Sequence, residues 1–168
     1  MIHTRDLVKE FGSFRAVDNI NLDIAKGEIF GFLGANGAGK TTTIRMLCGL
    51  LLPSSGSITV DGLDIAKHSE GVKHKIGYMS QKFSLYPDLK AIENLEFYAG
   101  IYQVPFKKAL ANIRDVMDQF GLTDILSSST GALPMGYKQR LSLVAALVHD
   151  PPLVFLDEPT SGVDPQAR

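Results

Sequence analysis

The sequence predicts an α/β fold, and three features carry that expectation. Residues Gly34 to Thr42 read GANGAGKTT and stand between an apolar run, Ile29 to Leu33, and a helical run, Thr42 to Leu50. A second apolar run, Leu153 to Leu156, ends in the acid pair Asp157-Glu158. Between them, from Asp88 to His149, apolar residues recur at helical spacing. A mostly helical segment is thus inserted between two parts of one sheet.

The elements follow in order. Residues 1–33 alternate short apolar runs with turns at Gly12-Ser13 and Lys26-Gly27. They read as a small antiparallel element leading into a first core strand at Ile29 to Leu33. The first helix is expected to end within Leu50 to Gly56, through Pro53, Ser54, Ser55 and Gly56. Gly56 to Gly62 (GSITVDG) is a strand between glycines, and Lys75 to Ser80 is another that delivers Gln81. Asp88 to Tyr102 and Phe106 to Phe120 are helical; in the second, Ile113, Val116, Met117 and Phe120 fall at i, i+3, i+4 and i+7. Residues 127–134 form a loop rich in Ser, Thr, Gly and Pro. Gly136 to His149 is a helix with Leu141, Val144, Ala145 and Val148 on one side, and Pro151-Pro152 ends it. The last run, Leu153 to Leu156, is apolar throughout, as a parallel strand buried on both faces is. The expected organisation is one domain over 1–168, with its core near 1–82 and 150–168 and a helical subdomain near 83–149.

Gly34, Gly39, Lys40 and Thr41 fit Gly-x-x-x-x-Gly-Lys-Thr, and their flanks are the strand and helix that a phosphate-binding loop needs. Backbone amides along Gly34, Ala35, Asn36, Gly37, Ala38, Gly39, Lys40, Thr41 and Thr42 would surround phosphates at a helix N-terminus. Lys40 would reach the outer phosphates, and the Thr41 hydroxyl would ligate Mg²⁺. Acids at the C-terminal end of an α/β strand lie where ligands collect. Asp157 is placed to hold the Mg²⁺ shell, and Glu158 to orient or deprotonate an attacking water. Taken alone, the pair is equally a solvated strand end; the phosphate loop earlier in the chain favours the catalytic role.

Bulk properties narrow the partners. The chain has 168 residues, 45% of them hydrophobic, enough for one modest domain with a core. Net charge is −1, from 17 basic and 18 acidic residues, and no basic stripe marks a nucleic-acid face. Cys48 is the single cysteine and reads as a small packed apolar residue; no internal disulfide can form. Met1 to Glu10 is polar, and no apolar run approaches a membrane span. The expected location is the cytosol, or the cytoplasmic face of a membrane through a partner.

The order of motifs is informative: phosphate loop, strand-end glutamine, helical insertion, Gly-x-Lys-Gln-Arg helix start, Asp-Glu strand. It resembles the ATP-binding domain of an ABC transporter, and nearly the whole chain takes part. GEIFGFLGANGAGKTTTIRML and FLDEPTSGVDP make it most similar to ATPase subunits of ABC-2 type exporters of the multidrug and daunorubicin-like kind. The resemblance implies a P-loop NTPase fold: a RecA-like core with an N-terminal antiparallel element and an inserted helical subdomain, incomplete at the C-terminus. It implies ATP and Mg²⁺ as ligands, a transmembrane permease as partner, and a second ATP-binding domain, identical or related, closing on two ATP molecules. It places Phe11 at the adenine-stacking aromatic, Val17 near the ribose, and Gln81 at the glutamine that touches Mg²⁺ and the attacking water. Ser161-Gly162-Val163-Asp164 resembles the loop that crosses the dimer interface, with Asp164 as its acid.

Two departures stand out. The family signature Leu-Ser-Gly-Gly-Gln is here Leu133-Pro134-Met135-Gly136-Tyr137, followed by Lys138-Gln139-Arg140. Proline lacks the serine hydroxyl and an N–H, so contact with the opposite ATP is expected from backbone at Gly136 and Tyr137 and from the helix dipole. The sequence stops at Arg168, before the place of the family's switch histidine. His3, His68, His74 and His149 do not occupy that place, and His149 reads as a helix-end residue. Two other readings stand beside the exporter subunit: a truncated module that binds nucleotide with little turnover, and a soluble ABC ATPase of ribosomes or DNA.

Overall fold

A computed structural model describes residues 1–159 of the chain. Its contacts divide into two compact units, one over Met1–Ile76 and the other from Gly77 onward.

The first unit is built on a four-stranded antiparallel sheet in the order β2-β1-β3-β4, from β1 (Ile2–Phe11), β2 (Phe14–Ile24), β3 (Ser55–Val60) and β4 (Leu63–Asp64). Strands β1 and β2 form the expected hairpin, with Ile2 opposite Ile24 and Phe11 opposite Phe14. Their ladder shifts register between Thr4 and Leu7. There the buried Thr4 hydroxyl donates to Ile20 O (3.0 Å) and accepts from Leu22 N (2.8 Å), so an irregular ladder leaves no unsatisfied polar group at this point. Helix α1 (Lys40–Leu47) follows the glycine-rich turn and ends earlier than the sequence suggested. Leu50 N donates to Arg45 O (2.9 Å) and Gly49 N to Met46 O (3.0 Å). This is a Schellman termination with Gly49 one place past the cap, so the helix stops before Pro53 is reached. Cys48 is buried.

Helix α2 (Ile65–Lys73) was not expected. Asp64 caps it by accepting from Ala66 N (2.9 Å), and Ile65 and Val72, seven apart, are its buried residues. A break at His68 (φ −132°, ψ 36°) interrupts the helical pattern that would have revealed it.

The expected core strand at Ile29 to Leu33 is not formed. Among the described residues these five belong to no strand, and Ile29 and Leu33 are 101% and 96% exposed. An apolar run becomes a buried strand only when neighbouring strands supply both ladders. Described strand pairing is confined to the four-stranded sheet and to one further pair, and residues 29–33 join neither.

The second unit holds β5 (Ile76–Met79, entered at the unit boundary), which pairs with β6 (Leu153–Leu156), and three helices: α3 (Ala91–Ile101), α4 (Phe106–Gln119) and α5 (Met135–Leu147). The helical periodicities were sound. Leu95, Ile113, Met117, Leu141, Val144 and Val148 share one apolar cluster. Glu93 accepts from Lys90 N (2.7 Å) at the start of α3. Asn94 is fully buried yet satisfied, bonding both backbone groups of Tyr86 (2.8 and 2.9 Å) and Thr130 Oγ1 (3.0 Å). It ties the approach to α3 to the loop before α5. Beyond α5, Asn112 Nδ2 donates to Val148 O (2.9 Å), and His149 stacks flat on Tyr102 at 3.6 Å. Strand β6 is less enclosed than its composition suggested: Phe155 is buried but Leu156 is exposed. Its described sheet has a single partner strand, so one side of the ladder has no cover from another strand.

Candidate functional site

In the first unit the phosphate-loop residues run from Gly34 through a turn closed by Ala38 N to Ala35 O (3.2 Å) and into α1. Gly39 caps the helix in the left-handed region (φ 80°, ψ 5°), and its carbonyl receives Thr43 N (2.8 Å) and Thr43 Oγ1 (3.0 Å). A side chain at this position would also collide with β2: a Cβ would lie 2.3 Å from Ala16 O and 3.3 Å from Val17 Cγ2. Glycine is therefore required twice over at 39, once by backbone angle and once by packing. The first turn of α1 has no side-chain cap and no acidic residue, so its N-terminal dipole carries nothing that competes with an anion. Lys40 Nζ donates to Gly34 O and Ala35 O, both at 2.7 Å, which places the ammonium within the loop. These features fit a phosphate chain.

Val17 is 3% exposed, so it forms part of the floor behind Gly39. Phe11 ends β1 and is 50% exposed. A ring that open is not a core residue under the hairpin.

In the second unit the β5–β6 pair brings three predicted residues together. Asp157 N donates to Met79 O (2.9 Å), so the acid pair begins where the ladder ends. Asp157 is 3% exposed, with Tyr78 Oη 3.5 Å from its Oδ2; a solvated strand end would not look like this. Glu158 is exposed and has φ +54°. That backbone costs a non-glycine residue about 1–3 kcal/mol, and such strain clusters at functional positions. Its Oε2 accepts from Gln81 Nε2 at 2.8 Å. The sequence put Gln81 and Glu158 on two strand ends 77 residues apart; the structure makes them a hydrogen-bonded pair. Tyr78 was missed, and only its place one residue before the end of β5 could have drawn notice.

The altered signature sits at the start of α5. Pro134 is the cap residue and offers no side-chain bond. Tyr137 N donates to Pro134 O (3.0 Å), as does Lys138 N (3.1 Å). In the free chain both amides of this first turn thus point back to the proline carbonyl. Gly136 remains, and a Cβ there would meet nothing within 4 Å. The basic tail braces the loop: Lys138 Nζ donates to Gly131 O (2.8 Å), and Arg140 lies 4.8 Å from the Tyr137 ring centre. Asp164 and its loop lie outside the described residues. Among the described residues no helix is long and apolar enough to cross a membrane, and no group of three or more His, Cys, Asp or Glu side chains is arranged to hold a metal ion.

The family model described as ABC transporter matches residues 17–161. The chain is 48% identical over 168 residues to the probable multidrug ABC transporter ATP-binding protein YbhF of Escherichia coli (strain K12), covering 100% of this chain and 29% of that protein. It is 41% identical over 168 residues to the linearmycin resistance ATP-binding protein LnrL of Bacillus subtilis (strain 168), covering 100% of this chain and 54% of the relative. It thus spans about half, or less, of the length of these relatives. Among solved structures, an ATP-binding subunit of an ABC transporter is similar with a TM-score of 0.88 at 29% identity, over 99% of this chain and 70% of that one. A dimeric cassette, MJ0796, bound to ADP and Pi in a post-hydrolysis state, is similar with a TM-score of 0.86 at 25% identity, over 99% of this chain and 78% of that one. These neighbours share the mixed α/β P-loop architecture with an antiparallel N-terminal sheet.

Proposed function

Because the chain belongs to the ABC transporter family, we propose that it binds and hydrolyses ATP as the nucleotide-binding part of a membrane exporter. The observation that carries this is the loop ahead of α1: Gly39 in the left-handed region at an uncapped, acid-free helix start, with Lys40 Nζ inside the loop. The amides of Gly34 to Thr42 bind the phosphates, Phe11 stacks on adenine, and Val17 backs the ribose. The Thr41 hydroxyl, the Asp157 carboxylate and the Gln81 amide oxygen are hard oxygen donors of the kind Mg²⁺ takes. Family likeness assigns each of them to that ion, whose charge would offset the charge developing on the phosphates. Glu158 orients the attacking water and accepts its proton; the contact with Gln81 holds its carboxylate in one orientation until then.

A second ATP-binding domain, identical or related, completes each site, with Gly136, Tyr137 and Asp164 facing the partner's nucleotide. The dimeric cassette bound to ADP and Pi supports that reading. A permease subunit at the cytoplasmic face of the membrane is the other partner, and exposed Phe83, Tyr86 and Phe97 in the helical segment are its docking surface. We assign residues near 1–82 and 150–168 to the ATP-binding core and 83–149 to that segment. The multidrug and resistance proteins named among the relatives support export as the direction of transport. The charge balance offers nothing to a nucleic acid.

A calorimetric titration tests the premise. Lys40→Ala removes the cation that faces the phosphates. A hydrogen bond to a charged group is worth about 1.5–3 kcal/mol, so affinity for MgATP should fall roughly ten- to hundredfold. Unchanged affinity would overturn the assignment. A second reading, nucleotide binding with little turnover, draws on the unpaired run at Ile29 to Leu33 directly before the loop. Binding with a phosphate-release rate at background would favour it.

A further inference from the structure

We infer that Lys9 is a positioning residue for the nucleobase, holding the Phe11 ring in the orientation that stacking needs. The inference rests on the proposal that Phe11 stacks on adenine. Lys9 Nζ lies 5.2 Å from the Phe11 ring centre, within the range of a cation–π contact. The same ammonium donates to Leu52 O at 2.8 Å. That carbonyl belongs to the segment leaving α1, the helix that begins at the phosphate loop. The segment is fastened to β1 twice more: Ser54 N donates to Val8 O (2.9 Å), and Ser54 Oγ accepts from Glu10 N (3.0 Å). One lysine therefore joins the aromatic platform to the chain that leaves the phosphate helix.

The physics is preorganisation. Phe11 is half exposed at the end of a strand, where an unrestrained ring would sample several rotamers. A cation over one face restricts the ring and leaves its exposed part for a base. Immobilising the ring before binding removes an ordering cost that would otherwise oppose it. Lysine tethered to a carbonyl also brings its charge to the base end of the site, away from the phosphates that Lys40 meets.

The test separates base recognition from phosphate recognition. MgATP and inorganic tripolyphosphate, which has no base, are titrated into the parent, Lys9→Met, Lys9→Arg and Phe11→Ala. Lys9→Met keeps the stem and removes the charge. It should weaken ATP about two- to fivefold, the equivalent of about 0.5–1 kcal/mol at 1.4 kcal/mol per tenfold. Tripolyphosphate affinity should stay at the parent value, and Lys9→Arg should restore ATP affinity. Equal weakening of both ligands would show a merely structural lysine and overturn the inference. So would no effect of Lys9→Met while Phe11→Ala lowers ATP affinity alone; the platform would then stand without its positioner. No effect of Phe11→Ala on the ratio of the two affinities would remove the platform and the inference together. A parent that binds neither ligand would refute the nucleotide proposal itself.

Discussion

Replacing Gly39 with alanine would add a methyl group where the structure has none to spare. Two separate costs apply. The backbone sits at φ 80°, and holding an L-residue there costs about 1–2 kcal/mol. The new Cβ would also lie 2.3 Å from Ala16 O, so β2 or the loop must retreat by roughly an ångström, an overpacking cost of about 1–3 kcal/mol. The sum is about 2–5 kcal/mol, a large share of the roughly 5–15 kcal/mol that stabilises a domain. Gly37 supplies the control. It has φ 84° but nothing within 4 Å of its would-be Cβ, so Gly37→Ala meets only the first cost. At about 2–4 °C per kcal/mol for a chain of this size, Gly39→Ala should melt roughly 4–20 °C below the parent and Gly37→Ala roughly 2–8 °C below. ATP affinity of Gly39→Ala should fall as well, since the loop must move. Thermal melts of the three proteins in one buffer decide it. If Gly39→Ala melted with or above Gly37→Ala, the carbonyl contact would not constrain the loop and the packing argument would be wrong.

Glu158→Gln should leave ATP binding intact and stop phosphate release, whereas Asp157→Asn should weaken the Mg²⁺ dependence of binding; steady-state turnover of Glu158→Gln at the parent rate, measured in the whole protein, would move the base elsewhere. Pro134→Ser with Met135→Gly should raise turnover about ten- to hundredfold if a lost hydroxyl contact of about 1.5–3 kcal/mol limits the composite site; an equal or lower rate with folding intact would reject that. Lys75 bonds the Asp61 carboxylate at 2.5 Å and, first by that hydrogen bond and then by its charge, holds the carboxyl below its ordinary value. A lowered folded-state pKa adds stability that is present above the unfolded value, about 3.9, and lost as pH falls through the folded one. The gap in melting temperature between the parent and Lys75→Met should therefore narrow between pH 7 and pH 3, and a constant gap would contradict the pairing.

The helical segment was the most legible part of the chain. Ile113, Met117, Leu141 and Val144 were placed by period alone, and all four are buried in one cluster. Periodicity works there because each helix makes its own hydrogen bonds and needs neighbours only for its apolar face. Strands are different: Ile29 to Leu33 has the composition of a core strand, yet its state depends on partners that composition cannot supply. Helix α2 escaped notice because its signal, Asp64 followed by Ile65 and Val72, is broken midway at His68. In the site, the phosphate loop is a contiguous word and could be read. The Gln81–Glu158 bond joins residues far apart in sequence, and no spacing rule reaches it.

The meeting of β5 and β6 bears on how this chain can vary in length. Gln81 follows Met79 by two residues, Asp157 N is bonded to Met79 O, and Glu158 comes next. The amide and the carboxylate are thus indexed to one rung of a ladder rather than to the surrounding side chains. A conservative exchange along Ile76–Met79 or Leu153–Leu156 would alter packing and leave the index alone. A single residue gained or lost between Met79 and Gln81, or between Phe155 and Glu158, would move one of the two side chains off that rung and break the hydrogen bond between them. The loop tips at Gly12 and Asp61-Gly62 carry no such index. Viable insertions and deletions should therefore collect at those tips and avoid the two strand ends, even in variants whose side chains there have drifted.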